Sequence, residues 1–202
     1  MTAIGVLASG RGSNFRALCE AGKRNALGGG RIVLLITDKP GAGALEVAKE
    51  FGIETLVLEA KSFPTREAHD VALADALAAR QVGLVVHAGY MRIVGRAYLS
   101  KFPNRVFNIN PALLPSFPGL HGQRQALAHG AKIAGATVHF VDEGVDTGPI
   151  VLQAAVPVRE DDTEATLSAR ILEVEHRIYP DAVRLFCEGK LSVEGRRVRI
   201  AA

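Results

Sequence analysis

Short apolar runs recur along the chain at the length of β-strands, and patterns with helical spacing separate most of the early ones. The runs cover residues 3–8, 32–37, 55–58, 84–88, 106–109, 137–141 and 150–158. The early runs are continuously apolar, as in parallel strands covered on both faces, whereas the last two alternate more with polar residues. We therefore expect an α/β fold of three layers, a mostly parallel, twisted sheet with helices on both faces and a mixed later portion.

Helix and hairpin boundaries can be predicted at three places. Thr65 is placed to cap a helix that has Glu67 in its first turn. Residues 161–190 begin with acidic residues and end in Gly-Lys, and Pro180 interrupts them, which predicts two helices or one kinked helix. Residues 191–200 are typical of a small hairpin that turns at Glu194-Gly195.

The composition narrows the classes of function. The 202 residues show no compositional break, so we expect one domain, residues 1–202, with halves of about 1–100 and 101–202. Hydrophobic residues make up 48%, charged residues 22%, and the net charge is +3. These values disfavour disorder, a membrane span and a nucleic-acid surface, but they suit a small anionic ligand. Cys19 and Cys187 are expected to be buried free thiols, and without a signal pattern we expect a soluble, cytoplasmic protein.

The first apolar run leads into SGRGSN, residues 9–14, and then into a helical pattern. A strand, a glycine turn and a helix start bring unpaired N–H groups and the positive end of the helix dipole to one point, which suits a phosphate. Gly12, Ser13 and Asn14 are therefore candidate phosphate ligands. An ordinary turn with Ser13 or Asn14 as the helix cap explains the motif equally well. The motif lacks the third glycine of a dinucleotide site.

Met91, Ile93 and Val94 follow the fourth apolar run, at the end of a strand where open α/β sheets bind ligands. These side chains can line a pocket for a flat heteroaromatic ring. They can equally close the end of the sheet as part of the core.

The segment NINP places two amides at the end of a hydrophobic strand. Side chains alternate along a strand, so Asn108 and Asn110 share one face and Ile109 points to the other. The proline that follows ends the strand. Two amides on one face make a polar site in an apolar setting, unless they only satisfy the proline-rich loop that follows.

His139 lies in an alternating run and points away from Val138 and Phe140. The acidic loop that follows has the composition of a solvated turn, and its spacing does not match a calcium-binding EF-hand loop. The sharper hypothesis is that one of its carboxylates orients or charges a neighbouring group.

Glu175 interrupts an apolar helical stripe. It lies four residues after Ile171 and three before Ile178, on the face that they share. A carboxylate there needs a partner such as the amine of a ligand, unless it extends to water at the end of the helix.

Taken together, SGRGSN, AGYMRIV, NINPALLPSFPGLHG, TVHFVDEGVDTGPIV and EVEHRIYP resemble the folate-dependent formyltransferases, in order along nearly the whole chain. SGRGSN and the chain length favour the phosphoribosylglycinamide formyltransferase branch, because the methionyl-tRNA formyltransferase and deformylase branches carry an additional domain. The resemblance implies the formyltransferase fold, with a Rossmann-like, phosphate-binding first half and a folate-binding, catalytic second half. It implies a transferase of purine (IMP) biosynthesis and one-carbon metabolism, with 10-formyltetrahydrofolate as co-substrate.

The resemblance also implies roles for individual residues. The substrate phosphate would be held by Gly12, Ser13 and Asn14, and the glycinamide portion by Glu175. Folate binding is implied for Arg66, Met91, Arg92, Ile93 and Val94. Closure over the pteridine is implied for Asp142, Glu143, Gly144, Val145 and Asp146. We expect no metal, because the attacking amine is already a nucleophile, and we expect a monomer or a homodimer.

The catalytic residues depart from the family pattern at one position. The resemblance implies that Asn108 bonds the formyl oxygen and that Asp146 raises the pKa of a catalytic histidine, but Asn110 stands in the place of that histidine. An amide can donate to an oxyanion but cannot carry a proton. We therefore expect intact binding with turnover lowered by about 100- to 10,000-fold. His121 and His139 are the candidates for a substitute proton path.

Two other classes of function stay open. A non-catalytic binding module on the same fold would bind both ligands without turnover. A dinucleotide-dependent oxidoreductase would need the full glycine fingerprint, although Asp38 lies near the position of its ribose-binding acid, and binding of a nicotinamide cofactor would discriminate it.

Overall fold

Strands and helices alternate through the first half of residues 1–201, the part of the chain that the computed structural model describes. The strands are β1 (Thr2–Leu7), β2 (Gly30–Thr37), β3 (Glu54–Val57), β4 (Leu84–His87), β5 (Val106–Asn110), β6 (Ile133–Phe140), β7 (Ile150–Pro157), β8 (Leu191–Glu194) and β9 (Arg197–Ile200). The helices are α1 (Ser13–Lys23), α2 (Ala44–Phe51), α3 (Arg66–Ala78), α4 (Arg96–Leu99), α5 (Gly122–Ala128) and α6 (Glu164–Cys187), with a 3-10 turn at Ala60–Ser62. Each predicted strand is present, with boundaries shifted by a few residues.

All nine strands belong to one sheet, in the order β3-β2-β1-β4-β5-β6-β7-β9-β8. The five neighbouring strands β3, β2, β1, β4 and β5 are parallel, whereas β6 is antiparallel to both of its neighbours. This arrangement confirms the predicted fold class. β7 alternates between buried and exposed residues as expected, but β6 is buried along nearly its whole length because α6 covers one face and the loop after β5 covers the other.

Two apolar cores lie on opposite faces of the sheet and produce the three layers. On one face, α1, α2 and α6 pack against the sheet around Phe15, Val47 and Tyr179. On the other, α3 and α4 pack around Leu73 and Tyr98. The side chains of Phe107 and Ile109 belong to the first core, so alternation along β5 turns Asn108 and Asn110 toward the second face.

Two helices test the boundary predictions. The Thr65 hydroxyl accepts the Ala68 N–H at 3.1 Å and caps α3, as predicted. The late helical segment forms the single helix α6 with Pro180 inside it, so the alternative of two helices is wrong. The buried side chains of Tyr179 and Val183 hold the helix to the same core on either side of the proline.

The end of the chain forms the predicted hairpin, with a turn one residue later than expected. Glu194 pairs with Arg197, which leaves Gly195 and Arg196 as the turn, and Gly195 has a φ of 60°. Both cysteines are free; Cys19 is buried, but Cys187 is only half-buried, contrary to the prediction. Within the described residues, no helix is both long and apolar enough to cross a membrane.

Candidate active site

A cavity of about 510 Å³ opens where β4 and β5 end, on the face of the sheet that carries α3 and α4. Its walls come from the segments that follow β4, β5 and β6. The lining residues are His87, residues 89–94, residues 108–111, residues 119–121, His139, Val141, Asp142 and residues 144–146. This is the edge at which parallel sheets bind ligands, as the sequence predicts.

Three polar side chains form a row across adjacent strands at the floor of this cavity. His87 on β4 pairs with Asn108 on β5, and Asn108 pairs with His139 on β6. Asn108 is half-buried, whereas both histidines are buried. The Asn108 Nδ2 lies 3.4 Å from the His139 Nε2. The strand register therefore places an amide donor between two imidazoles.

His87 is a neutral group in this row. Its Nε2 lies 3.0 Å from the Tyr98 hydroxyl, in the core beneath α4. Burial, with a smaller effect from His139, lowers the pKa of His87 to about 3. Neither His87 nor Tyr98 could be predicted as a site residue, because in the sequence they look like ordinary strand and helix residues.

Asp146 connects Asn110 to the loop above it. Its Oδ2 accepts the Asn110 Nδ2–H at 2.6 Å and the Gly119 N–H at 2.8 Å, and its Oδ1 lies 3.5 Å from the His139 Nε2. Burial acts to raise the pKa of Asp146, but His139, the Gly119 amide and Asn110 outweigh it and leave that pKa below its usual value. Asp146 is therefore an anion that holds two loops together.

Backbone geometry aims the Asp146 carboxylate into the site. Asp146 has a φ of 54°, in the left-handed region that side chains other than glycine seldom adopt. Two residues later, a Cβ at Gly148 would overlap the Phe140 carbonyl oxygen, so only glycine allows this close approach. Asp146 therefore faces the site, although its neighbours Glu143, Gly144 and Val145 are exposed, as the composition of a solvated turn predicts.

The other residues of the loop 142–146, which was predicted to close over the pteridine, are more exposed than Asp146. The Asp142 Oδ1 accepts the Gly144 N–H at 3.1 Å and the Thr147 hydroxyl at 2.6 Å, which fixes the turn. Glu143 is exposed, and Val145 is 51% exposed at the edge of the cavity. Of the five residues predicted here, all but Glu143 line the cavity.

Residues 91–94, which were predicted to bind the folate, all line the cavity but differ in how far they are exposed. Met91 and Ile93 are 66% and 57% exposed, and with Arg92 they line the cavity. Val94 is buried in the second core, so for this residue the alternative of a core position also applies. Large apolar side chains held in water on a cavity wall are a feature of a ligand-binding surface.

Two hydrogen bonds hold that stretch at its ends. The Ser9 Oγ accepts the Met91 N–H at 3.0 Å, and the Asp70 Oδ2 accepts the Gly95 N–H at 2.7 Å. Arg66 lies outside the cavity lining, with its Nε 3.8 Å from Asp70 Oδ2. These roles of Ser9 and Asp70 could not be predicted, because each depends on a partner far away in the sequence.

The predicted phosphate ligands lie at the start of α1. Gly12 is the N-cap with a φ of 79°, and no side chain caps the helix, so the reading of Ser13 or Asn14 as an ordinary cap is wrong. A Cβ at Gly12 would lie 2.8 Å from the Ala44 Cα, so α2 also requires glycine there. The N–H groups of the first turn thus have no side-chain acceptor from their own cap.

Glu175 meets the same helix end from α6. It is 6% exposed, so it does not extend to water, and its Oε2 accepts the Asn14 Nδ2–H at 2.6 Å. The Asn14 Oδ1 is buried with no hydrogen-bond partner. Burial raises the pKa of Glu175, although the bond from Asn14 acts against the rise. These groups do not line the cavity, but Tyr179, one turn after Glu175, donates to the His87 carbonyl at 2.8 Å and so ties α6 to the end of β4.

Comparisons with known proteins identify the family. A family model described as formyl transferase matches residues 2–183. The chain belongs to the formyl transferase family. It is 41% identical to a phosphoribosylglycinamide formyltransferase of Bacillus subtilis over 91% of this chain and 94% of that protein. It is 46% identical over 92% of its length to a trifunctional purine biosynthetic protein of Drosophila melanogaster, but it spans only 14% of that protein.

A solved structure shows the same architecture. The crystal structure of glycinamide ribonucleotide transformylase 1 from Symbiobacterium toebii is 53% identical, with a TM-score of 0.98 over 100% of this chain and 95% of that one. The formyl transferase family and its fold therefore agree with the resemblance drawn from the motifs.

His121 and His139, the two candidates for a substitute proton path, lie in different surroundings. His121 is exposed at the start of α5 with a φ of 61°, and its Nδ1 lies 3.9 Å from Glu164 Oε1. The residue lines the mouth of the cavity. The carboxylate beside His121 is thus that of Glu164, whereas the carboxylate beside His139 is that of Asp146.

Proposed function

We propose that the chain transfers the formyl group of 10-formyltetrahydrofolate to the amine of 5'-phosphoribosylglycinamide, in de novo purine (IMP) biosynthesis. The observation that carries the proposal is the likeness, over most of the chain, to relatives named for this activity. The cavity at the end of β5, with the Asn108 amide on its floor, is what such a reaction needs.

Each ligand has a surface that suits its chemistry. The pterin portion of a folate is flat and heteroaromatic, which suits a cavity bounded by Met91 and Ile93 on one side and the loop 142–146 on the other. The substrate phosphate suits the uncapped N–H groups at the start of α1. The orphaned Asn14 Oδ1 and the buried Glu175 carboxylate suit the amine and amide hydrogens of glycinamide.

The reaction needs stabilisation of one developing charge. When the amine attacks the formyl carbon, the carbonyl oxygen becomes an oxyanion, and an amide donor fixed on a strand is pre-organised to bond it. Asn108 is the residue proposed for this role, because the row across β4, β5 and β6 fixes it on the cavity floor. Oxyanion donors of this kind contribute roughly 100- to 1,000-fold to the rate.

Asn110 lowers turnover in the proposed reaction. It donates to Asp146 as a histidine would, but it cannot accept and release a proton. Its Oδ1 is also buried without a hydrogen-bond partner. The same residue favours the second candidate function, a binding module that holds a folate and a nucleotide without turnover.

Formyl transfer by the unaltered chain and by Asn110→His tests the proposal. Single-turnover rates would be measured beside the binding of phosphoribosylglycinamide and of a non-reactive folate analogue. We expect both proteins to bind both ligands with affinities within about threefold, and the histidine variant to be about 100-fold faster or more.

Asn110→Gln is the matched control, because it changes the same position but adds no titratable group. It should bring no gain in rate. If all three proteins bind both ligands but none transfers the formyl group, the chain is a binding module and not an enzyme. If neither ligand binds, the proposed function is wrong.

A further inference from the structure

The Nε2 atom of His139 lies between two groups, the Asn108 amide and the Asp146 carboxylate. Its Nδ1 lies 2.8 Å from the Phe140 carbonyl oxygen, and a carbonyl can only accept, so Nδ1 carries the hydrogen in the neutral ring. The lone pair is then on Nε2, which lies 3.5 Å from the Asp146 Oδ1. In the neutral state, the Nε2 lone pair and the Asp146 Oδ1 face each other with no hydrogen between them, and the Asn108 Nδ2, 3.4 Å away, is the donor near that lone pair.

One oxygen of Asp146 is free to accept a hydrogen bond from this nitrogen. The Oδ2 of Asp146 is already engaged by Asn110 and by the Gly119 amide, so Oδ1 is left for His139. A proton on Nε2 converts the contact into a charge-assisted hydrogen bond. The charged or titratable groups that face His139 are Asp146 from the loop after β6 and His87 from β4.

The other imidazoles that line the cavity do not have this arrangement. His87 is engaged by the Tyr98 hydroxyl, and burial lowers its pKa to about 3. His121 lies exposed at the mouth beside Glu164. Only His139 contacts both Asn108, the proposed oxyanion donor, and Asp146.

We propose that His139, paired with Asp146, carries the proton of formyl transfer in this chain. This inference rests on the proposed function. The substrate nitrogen forms a bond to the formyl carbon, the carbonyl pair moves to oxygen, and His139 Nε2 takes one proton from the attacking nitrogen. The oxygen pair then re-forms the carbonyl, the bond from carbon to N10 breaks with its pair on N10, and the imidazolium returns the proton there. No other reactant is consumed.

A double-mutant cycle between His139 and Asn110 tests the proposal. His139→Asn keeps a donor near the place of Nδ1 but cannot titrate. In the unaltered background we expect it to lower the single-turnover rate at least tenfold, with folate-analogue binding unchanged. In the Asn110→His background we expect a loss of less than about threefold, because a second imidazole then contacts Asp146.

Equal losses in both backgrounds, or no loss in either, would overturn the assignment. So would binding of both ligands with no detectable transfer by the unaltered chain, since no proton would then be carried. Absence of binding would instead overturn the proposed function itself, and the assignment with it.

A measurement on the unaltered protein is independent of folding defects in the variants. Histidine ¹⁵N spectra distinguish the two tautomers. We expect the neutral ring of His139 to carry its proton on Nδ1. A neutral ring protonated at Nε2 would contradict the proposal.

Discussion

Because His87 is buried, the free energy of unfolding should fall in mild acid, and the size of the fall can be worked out from the surroundings of the imidazole. The imidazole is buried beside the Tyr98 hydroxyl, and burial is the main cause that lowers its pKa from 6.5 to about 3. In the unfolded chain, a histidine titrates near pH 6.5. Between about pH 6.5 and pH 3, the unfolded state therefore binds a proton that the folded state does not.

This difference in proton binding gives the sign and the size of the change in unfolding free energy. A lowered pKa means that the stabilising contribution is complete above pH 6.5 and is lost as the pH falls toward 3. Each pH unit well inside that window is worth about 1.4 kcal/mol, so a fall from pH 6 to pH 4 costs about 2.5 kcal/mol through His87 alone. That is a large part of the roughly 5–15 kcal/mol that holds a typical domain folded.

Urea unfolding of the unaltered chain and of His87→Gln, at pH 7, 6, 5 and 4, measures this contribution. Glutamine can still reach the Tyr98 hydroxyl but does not titrate. Between pH 6 and pH 4, the free energy of unfolding of the unaltered chain should fall by about 2.5 kcal/mol more than that of His87→Gln. His129→Gln, at an exposed position, controls for the general effect of replacing a histidine. Parallel pH curves for the unaltered chain and His87→Gln would refute the reasoning.

Two further substitutions test buried polar contacts. Burial raises the pKa of Glu175, so its stabilising contribution is present at low pH and is lost as the pH rises through that pKa. The Tm of Glu175→Gln should therefore rise relative to that of the unaltered chain between pH 4 and pH 8. A difference in Tm that stays constant over this range would contradict the prediction. Thr137→Val removes a hydroxyl that accepts the Leu114 N–H and donates to the Ala112 carbonyl, so urea unfolding should show a loss of about 1–3 kcal/mol. A loss below about 0.5 kcal/mol would show that other contacts hold the loop after β5.

Local patterns predict those parts of the fold that local physics decides. Alternation along β5 turned the amides Asn108 and Asn110 to one face and Ile109 to the other, as the structure has them. The N-cap at Thr65 and the burial of Glu175 on an apolar stripe are likewise readable from spacing alone. In each case the side that a residue faces depends only on its neighbours in the chain.

The partners of these residues could not be predicted in the same way. Glu175 bonds Asn14 across 161 positions of the chain, and no feature of either segment specifies the other. His139 meets Asp146 because strand pairing shifts between Val138 and His139 and because Asp146 adopts a left-handed conformation. Both are irregularities of the backbone, and hydrophobic periodicity carries no information about them.

The two oxygens of Asp146 explain how an amide at position 110 is compatible with the fold. Asn110 and the Gly119 amide hold Oδ2, which closes the loop, while Oδ1 faces the imidazole of His139. Closing the loop requires only a hydrogen-bond donor, and an amide serves as well as an imidazole. The consequence of Asn110 therefore falls mainly on proton transfer, with a smaller cost to folding from its unpartnered Oδ1. Asn110→His should change the rate of formyl transfer far more than it changes the free energy of unfolding.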